Sequence, residues 1–351
     1  MLKAAVIGLG DISKIHLTAI QANPDVELTA VCDIDPAHRS MFPNVNFYND
    51  YEVMIAEEVL DCVHICLPHY LHYPATKACV NKGINVFLEK PIALNHKEGY
   101  SLVKLEEEHK NVKICVCLQN RYNKTFEVLN GMIENGKYGP ILGIKGLVTW
   151  NRPKAYYDVK PWRGKMAYAG GGVMINQSIH TLDIMQLLGG EIESIRGSID
   201  QLLDYGIEVE DTASAHIQFS NGATGLFFAT ISNERNSSVE LQVTFKDEKL
   251  TIKDSMLTRA DDEDKKIELV TDDKLPGTKF YYGASHAKLI NRFYHCIAAD
   301  SDEYTHVKEA LVAIKMIDAI RQSSEEKRRV RMEELNDEQC ENWSSNVQFE
   351  K

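Results

Sequence analysis

Over the first 120 residues, short apolar runs rich in β-branched residues alternate with stretches whose apolar positions recur every three or four residues. "KAAVIGLG" reads as a strand ending in glycines, and "DISKIHLTAIQAN" has helical spacing. "VELTAVCDID", "CVHICLP", "NVFLEKP" and "VKICVCLQN" predict further strands, with helices in "HYPATKACVNKG" and "HKEGYSLVKLEEEHK". Alternation of this kind predicts a parallel sheet wrapped by helices, a doubly wound α/β domain over residues 1–121. Near-continuous apolar strands such as "VHICL" fit a sheet covered on both faces.

After about residue 122 the rhythm changes. A helix in "TFEVLNGMIENGKYG" precedes the long strand "ILGIKGLVTW", and a polar, aromatic loop runs from Trp150 to Tyr168. From about 192 to 253 the chain alternates as strands do, and "SNGA" inside "DTASAHIQFSNGATGLFFATIS" predicts a hairpin turn. Helices around 285–299 and 306–323 end the ordered pattern. The pattern predicts an α+β domain with a largely antiparallel sheet over 122–330. A charged tail over 331–351 reads as surface helix or partly disordered chain.

Composition narrows the function classes. A chain of 351 residues favours two domains. A formal net charge of -12 argues against a nucleic-acid or anionic-membrane partner, though it leaves room for a local basic pocket. No stretch is long and apolar enough to span a bilayer. "MLKAAVIGLGD" lacks a charged lead-in and a small-residue cleavage site, so it reads as a buried strand rather than a signal peptide. The eight cysteines show no metal or redox spacing. Cys62, Cys66, Cys115 and Cys117 read as small buried hydrophobes in a reducing cytoplasm, and no metal site is predicted.

Three stretches carry chemistry. "GLGDIS" (Gly8 to Ser13) closes the first strand and opens the first helix, departing from G-x-G-x-x-G at Ser13. Gly8 and Gly10 suit a tight turn and close approach to a pyrophosphate, which would sit on the helix N-terminus. Asp33, at the end of the second strand, stands where a carboxylate accepts from an adenine ribose. An acid there repels a 2′-phosphate, which favours NAD over NADP. The second stretch, "FLEKPIALN", places Glu89, Lys90 and Pro91 after a buried strand, where such sheets bind ligands. Partly desolvated, Lys90 can hold a substrate oxygen and move protons, and Pro91 restricts it.

The third stretch is "GGGVMINQSIHTLD", residues 170–183. One continuous helix would set Asn176, His180 and Asp183 on one face. The glycines at 170–172 would let the backbone approach cofactor or substrate, or act as a hinge.

Taken in order, these pieces resemble the Gfo/Idh/MocA oxidoreductases. "GLGDISKIH", "VCDIDP", "CLPHYLH" and "EKPIAL" follow the family's N-terminal pattern. "GKYGPI", "PWRGKMAYAGGG", "NQSIHTLDIMQLLG" and "YGASHAKLINRFYHCI" follow the C-terminal one. The resemblance implies a Rossmann domain, then an α/β domain whose open sheet often builds homodimers or homotetramers. It implies tightly held NAD or NADP and hydride transfer at a secondary alcohol of a sugar, sugar derivative or cyclitol.

Lys90 then matches the lysine of the family's EKP motif, which contacts substrate and nicotinamide ribose, and His180 matches its catalytic histidine. A neutral imidazole suits removal of the hydroxyl proton. Asn176 stands where many members carry aspartate; as an amide it can donate to and accept from substrate hydroxyls, and the base assignment moves towards His180 and Lys90. Trp162 and Arg163 are placed near nicotinamide and substrate. Asp11, Ile12, Leu67, Pro68, His72, Glu89 and Gln119 join Gly8, Gly10 and Asp33 on the cofactor side. Asp183 reads as orienting or substrate-binding; Arg121, Tyr156 and His286 are further substrate candidates and Tyr282 a cofactor candidate. Other readings remain open: a glycoside-cleaving enzyme that uses bound NAD with no net redox change, reduction of a non-sugar carbonyl, and a non-enzymatic NAD-binding regulator.

Overall fold

The structure, a computed structural model, describes residues 1–260, 265–273 and 285–335. Strands β1 (Leu2–Ile7), β2 (Val26–Cys32), β3 (Asn46–Tyr48), β4 (Cys62–Ile65), β5 (Asn85–Leu88) and β6 (Ile114–Val116) form one sheet in the order β3-β2-β1-β4-β5-β6. Every pairing in it is parallel. Helices α1 (Ser13–Ala22), α2 (Tyr51–Glu57), α3 (His72–Asn81) and α4 (His96–Glu108) supply four of the five crossovers, and a 3-10 turn over Pro36–Met41 lies between β2 and β3. The order turns back between β1 and β4, so their C-terminal ends flank the crevice where such sheets bind nucleotides. Burial on both faces explains the unbroken apolar runs: all four residues of β4 are buried.

The second half opens with α5 (Lys124–Glu134) and β7 (Gly143–Thr149), whose alternate residues are buried. Four short helices follow: α6 (Ala155–Asp158), α7 (Met166–Ala169), α8 (Val173–Asn176) and the longer α9 (Ile179–Gly189). Then come β8 (Ile192–Asp200), β9 (Thr212–Phe219), β10 (Thr224–Thr230), β11 (Glu240–Thr244) and β12 (Lys249–Lys253). Two strands beyond the predicted alternation, β13 (Met256–Ala260) and β14 (Lys266–Thr271), extend the sheet. Helices α10 (Ser285–Ala299) and α11 (Val307–Glu326) and strand β15 (Val330–Arg331) complete the order.

Among the described residues, the second sheet has nine strands, β14-β13-β12-β11-β7-β10-β9-β8-β15. Its one parallel pairing is β7 with β10; the others are antiparallel. The "SNGA" hairpin is present, with Gly222 at φ +90° and the Ala223 N–H donating to Asn221 Oδ1 at 3.0 Å.

Two late helices tie the halves together. His96 at the start of α4 bonds Asp318 of α11 at 2.8 Å, while Ser323 and Ser324 of α11 accept the N–H groups of Gly197 and Ile199 in β8. Helix α10 returns to the first sheet, where Leu289, Ile290, Phe293 and Tyr294 share a buried cluster with Ala4, Val6, Phe87 and Cys115. A second cluster of buried apolar residues runs without interruption through both sheets, from Ile7 and Leu88 to Ile179, Ile217 and Phe227. The charged tail is ordered at its start, where Arg331 pairs with Ser194 of β8; residues 336–351 lie outside the described residues. Among the described residues, no helix is long and apolar enough to cross a membrane.

Candidate active site

The glycine turn after β1 needs the first of its glycines for steric reasons. Gly8 sits at φ +88°, and a Cβ there would meet the Cys66 carbonyl oxygen at 2.6 Å and Leu67 Cδ2 at 3.3 Å. Gly10 instead faces open space, its nearest neighbour Lys160 Nζ at 3.8 Å from an added Cβ. Ser13, in place of a third glycine, is buried and closes the turn by donating to the Gly10 carbonyl at 2.7 Å. Asp33 accepts from the Leu9 N–H (2.7 Å) and the Asp35 N–H (2.9 Å), which pins its carboxylate beside the turn. His38 Nδ1 lies 3.4 Å from the same carboxylate. Asp11 and Ile12 open α1, and Asp11 is 3.6 Å from Lys160, a cation contributed by the second half. An open approach at Gly10 beside a fixed carboxylate fits a dinucleotide whose ribose hydroxyls donate to Asp33.

Lys90 follows β5 at the same edge of the sheet. Its neighbour Glu89 is buried and accepts from the Lys90 N–H through Oε2 (3.2 Å). Glu89 Oε1 is 2.9 Å from His16 Nε2, His16 Nδ1 is 2.8 Å from His64 Nδ1, and His64 Nε2 is 2.6 Å from the Tyr294 hydroxyl. The direction of this chain is determined. An ionised carboxylate only accepts, so His16 donates from Nε2 and accepts at Nδ1; His64 then donates from Nδ1 and accepts from Tyr294. The opposite polarity would leave the Tyr294 O–H without an acceptor among the described residues. Burial alone would raise the Glu89 carboxyl, but donation by His16 and the nearby Lys90 charge hold it well below the usual carboxylate range. Cys117 brings its sulfur within 4.8 Å of the same His16 and Glu89 atoms, a spacing a metal ion could use. Burial pushes that thiol well up, and His16 and Glu89 already bond each other.

The stretch expected to be one helix is broken. Helix α8 ends at Asn176 and α9 begins at Ile179, because Ser178 Oγ takes the carbonyls of Val173 (2.9 Å) and Met174 (3.3 Å). The break frees the Asn176 main-chain oxygen, which accepts from Lys90 Nζ at 2.9 Å. His180, in the first turn of α9, is partly buried, and Gln119 Nε2 lies 3.2 Å from its Nε2. Burial and then the Lys90 charge push His180 down to about 3, so the ring is neutral at physiological pH. Asp183 is buried and held by Arg121 in a two-pronged ion pair, Nε to Oδ2 at 2.9 Å and Nη2 to Oδ1 at 2.7 Å, while Arg121 Nη1 also bonds Glu309. That pair fixes α9 against the segment after β6.

The glycines at 170–172 correct the expectation of an approach to ligand. An added Cβ on Gly170 would meet the Leu94 oxygen at 2.6 Å, and one on Gly172 the Glu210 oxygen at 1.8 Å. It is the protein's own backbone that comes close. Buried Glu210 then accepts the N–H groups of Gly172 (2.9 Å) and Met174 (3.1 Å), satisfying the start of α8.

Asn176 Nδ2 donates to the Tyr156 hydroxyl at 3.0 Å, a partner it shares with Gln177 at 3.3 Å. The Arg163 guanidinium lies 4.0 Å from the Tyr156 ring centre, and Trp162 meets buried His69 edge-on at 4.9 Å. His72 is buried with both ring nitrogens against main-chain oxygens, Pro91 at 2.6 Å and Leu67 at 2.8 Å, and so ties the Leu67–Pro68 loop to the segment after Lys90. His286, buried at the start of α10, lies near enough to Glu89 and His180 for its charge to bear on both. Tyr282 lies outside the described residues.

Sequence reasoning passed over His16, His64 and Tyr294. A single histidine on the apolar face of α1 was the available signal for the first; nothing in the spacing links the other two.

A nucleotide turn, a braced lysine and a neutral histidine from the facing half describe the class of two-domain, NAD-dependent dehydrogenases. Residues 2–127 match the oxidoreductase family with an NAD-binding Rossmann fold, and residues 126–251 match the GFO/IDH/MocA C-terminal domain. The chain belongs to the GFO/IDH/MocA family of oxidoreductases. It is 26% identical to the myo-inositol 2-dehydrogenase of Thermotoga maritima, over 67% of this chain and 69% of that one. It is 25% identical to the inositol 2-dehydrogenase of Rhizobium meliloti, over 93% of this chain and 97% of that one. The WlbA dehydrogenase of Bordetella pertussis, solved with NADH and UDP-GlcNAcA, superposes with a TM-score of 0.81 at 26% identity, covering 94% of this chain and 98% of that one.

Proposed function

We propose that the chain oxidises a secondary alcohol of a sugar, sugar derivative or cyclitol, with Lys90 and His180 as its catalytic pair. The observation that carries this reading is the contact of Lys90 Nζ with the Asn176 oxygen, which brings the strand end of the nucleotide half to the helix break that bears His180. The inositol dehydrogenases among its relatives support a cyclitol or sugar as substrate.

The Lys90 ammonium stabilises negative charge on the reacting oxygen, and neutral His180 takes the hydroxyl proton at Nε2, with Gln119 giving way. Bound NAD would supply the hydride acceptor, and with the hydroxyl proton taken by His180 the carbinol carbon would be left as a ketone. Gly8, Gly10, Asp11, Ile12 and Asp33 would hold the dinucleotide, and Leu67, Pro68, Gln119 and Trp162 would line its path. With Nδ2 engaged by Tyr156, Asn176 offers Oδ1 to a sugar hydroxyl. Arg121, Asp183 and His72 act by holding these groups in place. Cofactor binding falls mainly to residues 1–121, with Trp162 from the second half, and substrate binding mainly to the half that follows.

The open face of the second sheet exposes Leu226, beside Leu147 and Phe228, and we assign it to a contact between copies of the chain. The test of the reading is NADH formation by the purified protein across inositols, aldoses, glucosides and amino sugars. Sugar release with no net NADH would replace it with the glycoside-cleaving reaction, and cofactor binding without turnover of any compound would leave only a binding protein.

A further inference from the structure

Among the described residues, three cations gather around Tyr156 and none of their side chains is paired with a carboxylate. Lys90 bonds the Asn176 carbonyl, Asn176 bonds the Tyr156 hydroxyl, and Arg163 lies 4.0 Å from the Tyr156 ring centre. Arg152 stands 5.5 Å from the same ring and 4.9 Å from Trp150. Among the described residues, none of the three forms an ion pair with a carboxylate. Arg163 reaches only the Tyr156 main-chain oxygen, at 3.4 Å. Arg152 reaches the Asn151 oxygen (2.7 Å) and Asn236 Oδ1 (3.1 Å), both neutral. Glu89, the acid beside Lys90, is committed to His16 and to the Lys90 N–H. Both guanidinium groups lie near enough to help lower the Lys90 ammonium, although burial is the larger cause.

This gathering stands out in a chain of net charge -12. Like charges held together in a partly desolvated site repel one another, and the repulsion is relieved when an anion joins them. An oxidised nicotinamide would add a further positive charge. A neutral polyol needs hydroxyl partners, which Asn176 and Tyr156 supply, but has no use for two unpaired guanidinium forks. Such forks match the planar oxygens of a carboxylate or phosphate.

We propose that the substrate is a sugar carrying an anionic group, a carboxylate or a phosphate, which the Arg152 and Arg163 guanidinium groups hold beside Tyr156. The inference rests on the dehydrogenase reading for which ring carbon reacts, but not for the anion contact. Arg152 is a specificity residue in this scheme; it touches the substrate away from the reacting carbon.

The test is calorimetric titration of the NAD⁺-loaded protein with D-glucose, D-glucuronate and D-glucose 6-phosphate. At least one anionic sugar should bind about tenfold tighter than glucose, with the advantage shrinking as salt rises. Arg152→Gln should reduce the anion-to-glucose affinity ratio about tenfold, and Arg152→Lys should retain part of it. A preference for glucuronate over the phosphate, or the reverse, identifies the group. Glucose binding as tightly as both anions, binding of none of the three, or an unchanged ratio in Arg152→Gln would each overturn the proposal. Anion-selective binding with no NADH formed from these or any of the inositols, aldoses, glucosides and amino sugars would instead sink the dehydrogenase reading and leave the anion site standing.

Discussion

The side-chain ammonium of Lys90 lies 2.9 Å from the main-chain oxygen of Asn176, an oxygen made available by the break between α8 and α9. The break therefore does two jobs: it frees a carbonyl to anchor the lysine, and it places His180 at the start of a new helix rather than deep in an old one. The placement of both Lys90 and His180 depends on Ser178 diverting two carbonyls. Lys90→Ala and His180→Ala should each lower turnover by roughly 100-fold or more, as loss of a group that moves or stabilises the proton does. Their NAD affinity, read by fluorescence, should change far less. Near-normal turnover in both would remove the assignment.

Glycines in the two turns should fail in different ways. Gly172→Ala drives a Cβ to 1.8 Å from the Glu210 oxygen, a clash with backbone that cannot move aside. It should cost about 3 kcal/mol or more in denaturant unfolding. Gly10→Ala meets nothing closer than the mobile end of Lys160 at 3.8 Å, so stability should be nearly unchanged while NAD binding weakens. Equal stability losses in the two variants would contradict this division.

Acid should destabilise the fold through its buried histidines. Burial holds His180 down at about 3 and His286 at about 4, both from an ordinary value of 6.5, and lowers His64 and His69 well below it. In the unfolded chain these rings take up protons below about 6.5, whereas in the folded protein they do not. Their neutral burial is therefore fully compatible with folding above 6.5 and opposes it progressively as pH falls to 4. Each ring should contribute a slope of about 1.4 kcal/mol per pH unit within its window. Urea midpoints measured from pH 7 to 4 check this; a flat profile would count against neutral burial.

Tyr294→Phe removes the donor at the far end of the chain that runs through His64 and His16 to Glu89. It should cost about 1–2 kcal/mol, the consequence of leaving a buried acceptor unpaired. Ring nitrogen resonances should show His64 protonated at Nδ1 and His16 at Nε2 in the native protein, with the His64 preference weakened in the variant. A native His64 protonated at Nε2 would reverse the chain's direction.

Leu226→Arg places a charge on the open face of the second sheet, where Leu226 is 53% exposed. If that face joins copies of the chain, light scattering should show a smaller species than for the native protein. An unchanged mass would exclude the face from assembly.

Much of this architecture was legible because period is a local property. The runs leading to β1, β2, β4, β5 and β6 are continuous in sequence, and β4 and β6 are buried throughout, so each declared itself. The glycine turn and Asp33 were legible for the same reason, lying within a single strand–helix–strand unit. The continuous helix through Asn176 and His180 was not a sound expectation, because a serine hydroxyl competing for carbonyls leaves hydrophobic spacing intact while ending the helix. The Arg121–Asp183 pair and the His16–His64–Tyr294 chain join residues 62 and up to 230 positions apart, and no periodicity reports on such pairings.

Helix α10 fills one side of the nucleotide-binding sheet from a position near the end of the chain. The consequence concerns order of synthesis. While the ribosome is still making the second sheet, the completed strands β1, β4 and β5 present Val6, Cys62 and Phe87 without the helix that will cover them. The half that emerges first is thus finished late, after Phe293 and Tyr294 have left the exit tunnel. A nascent chain that stops before residue 285 should hold neither its cofactor nor its fold, however complete its glycine turn.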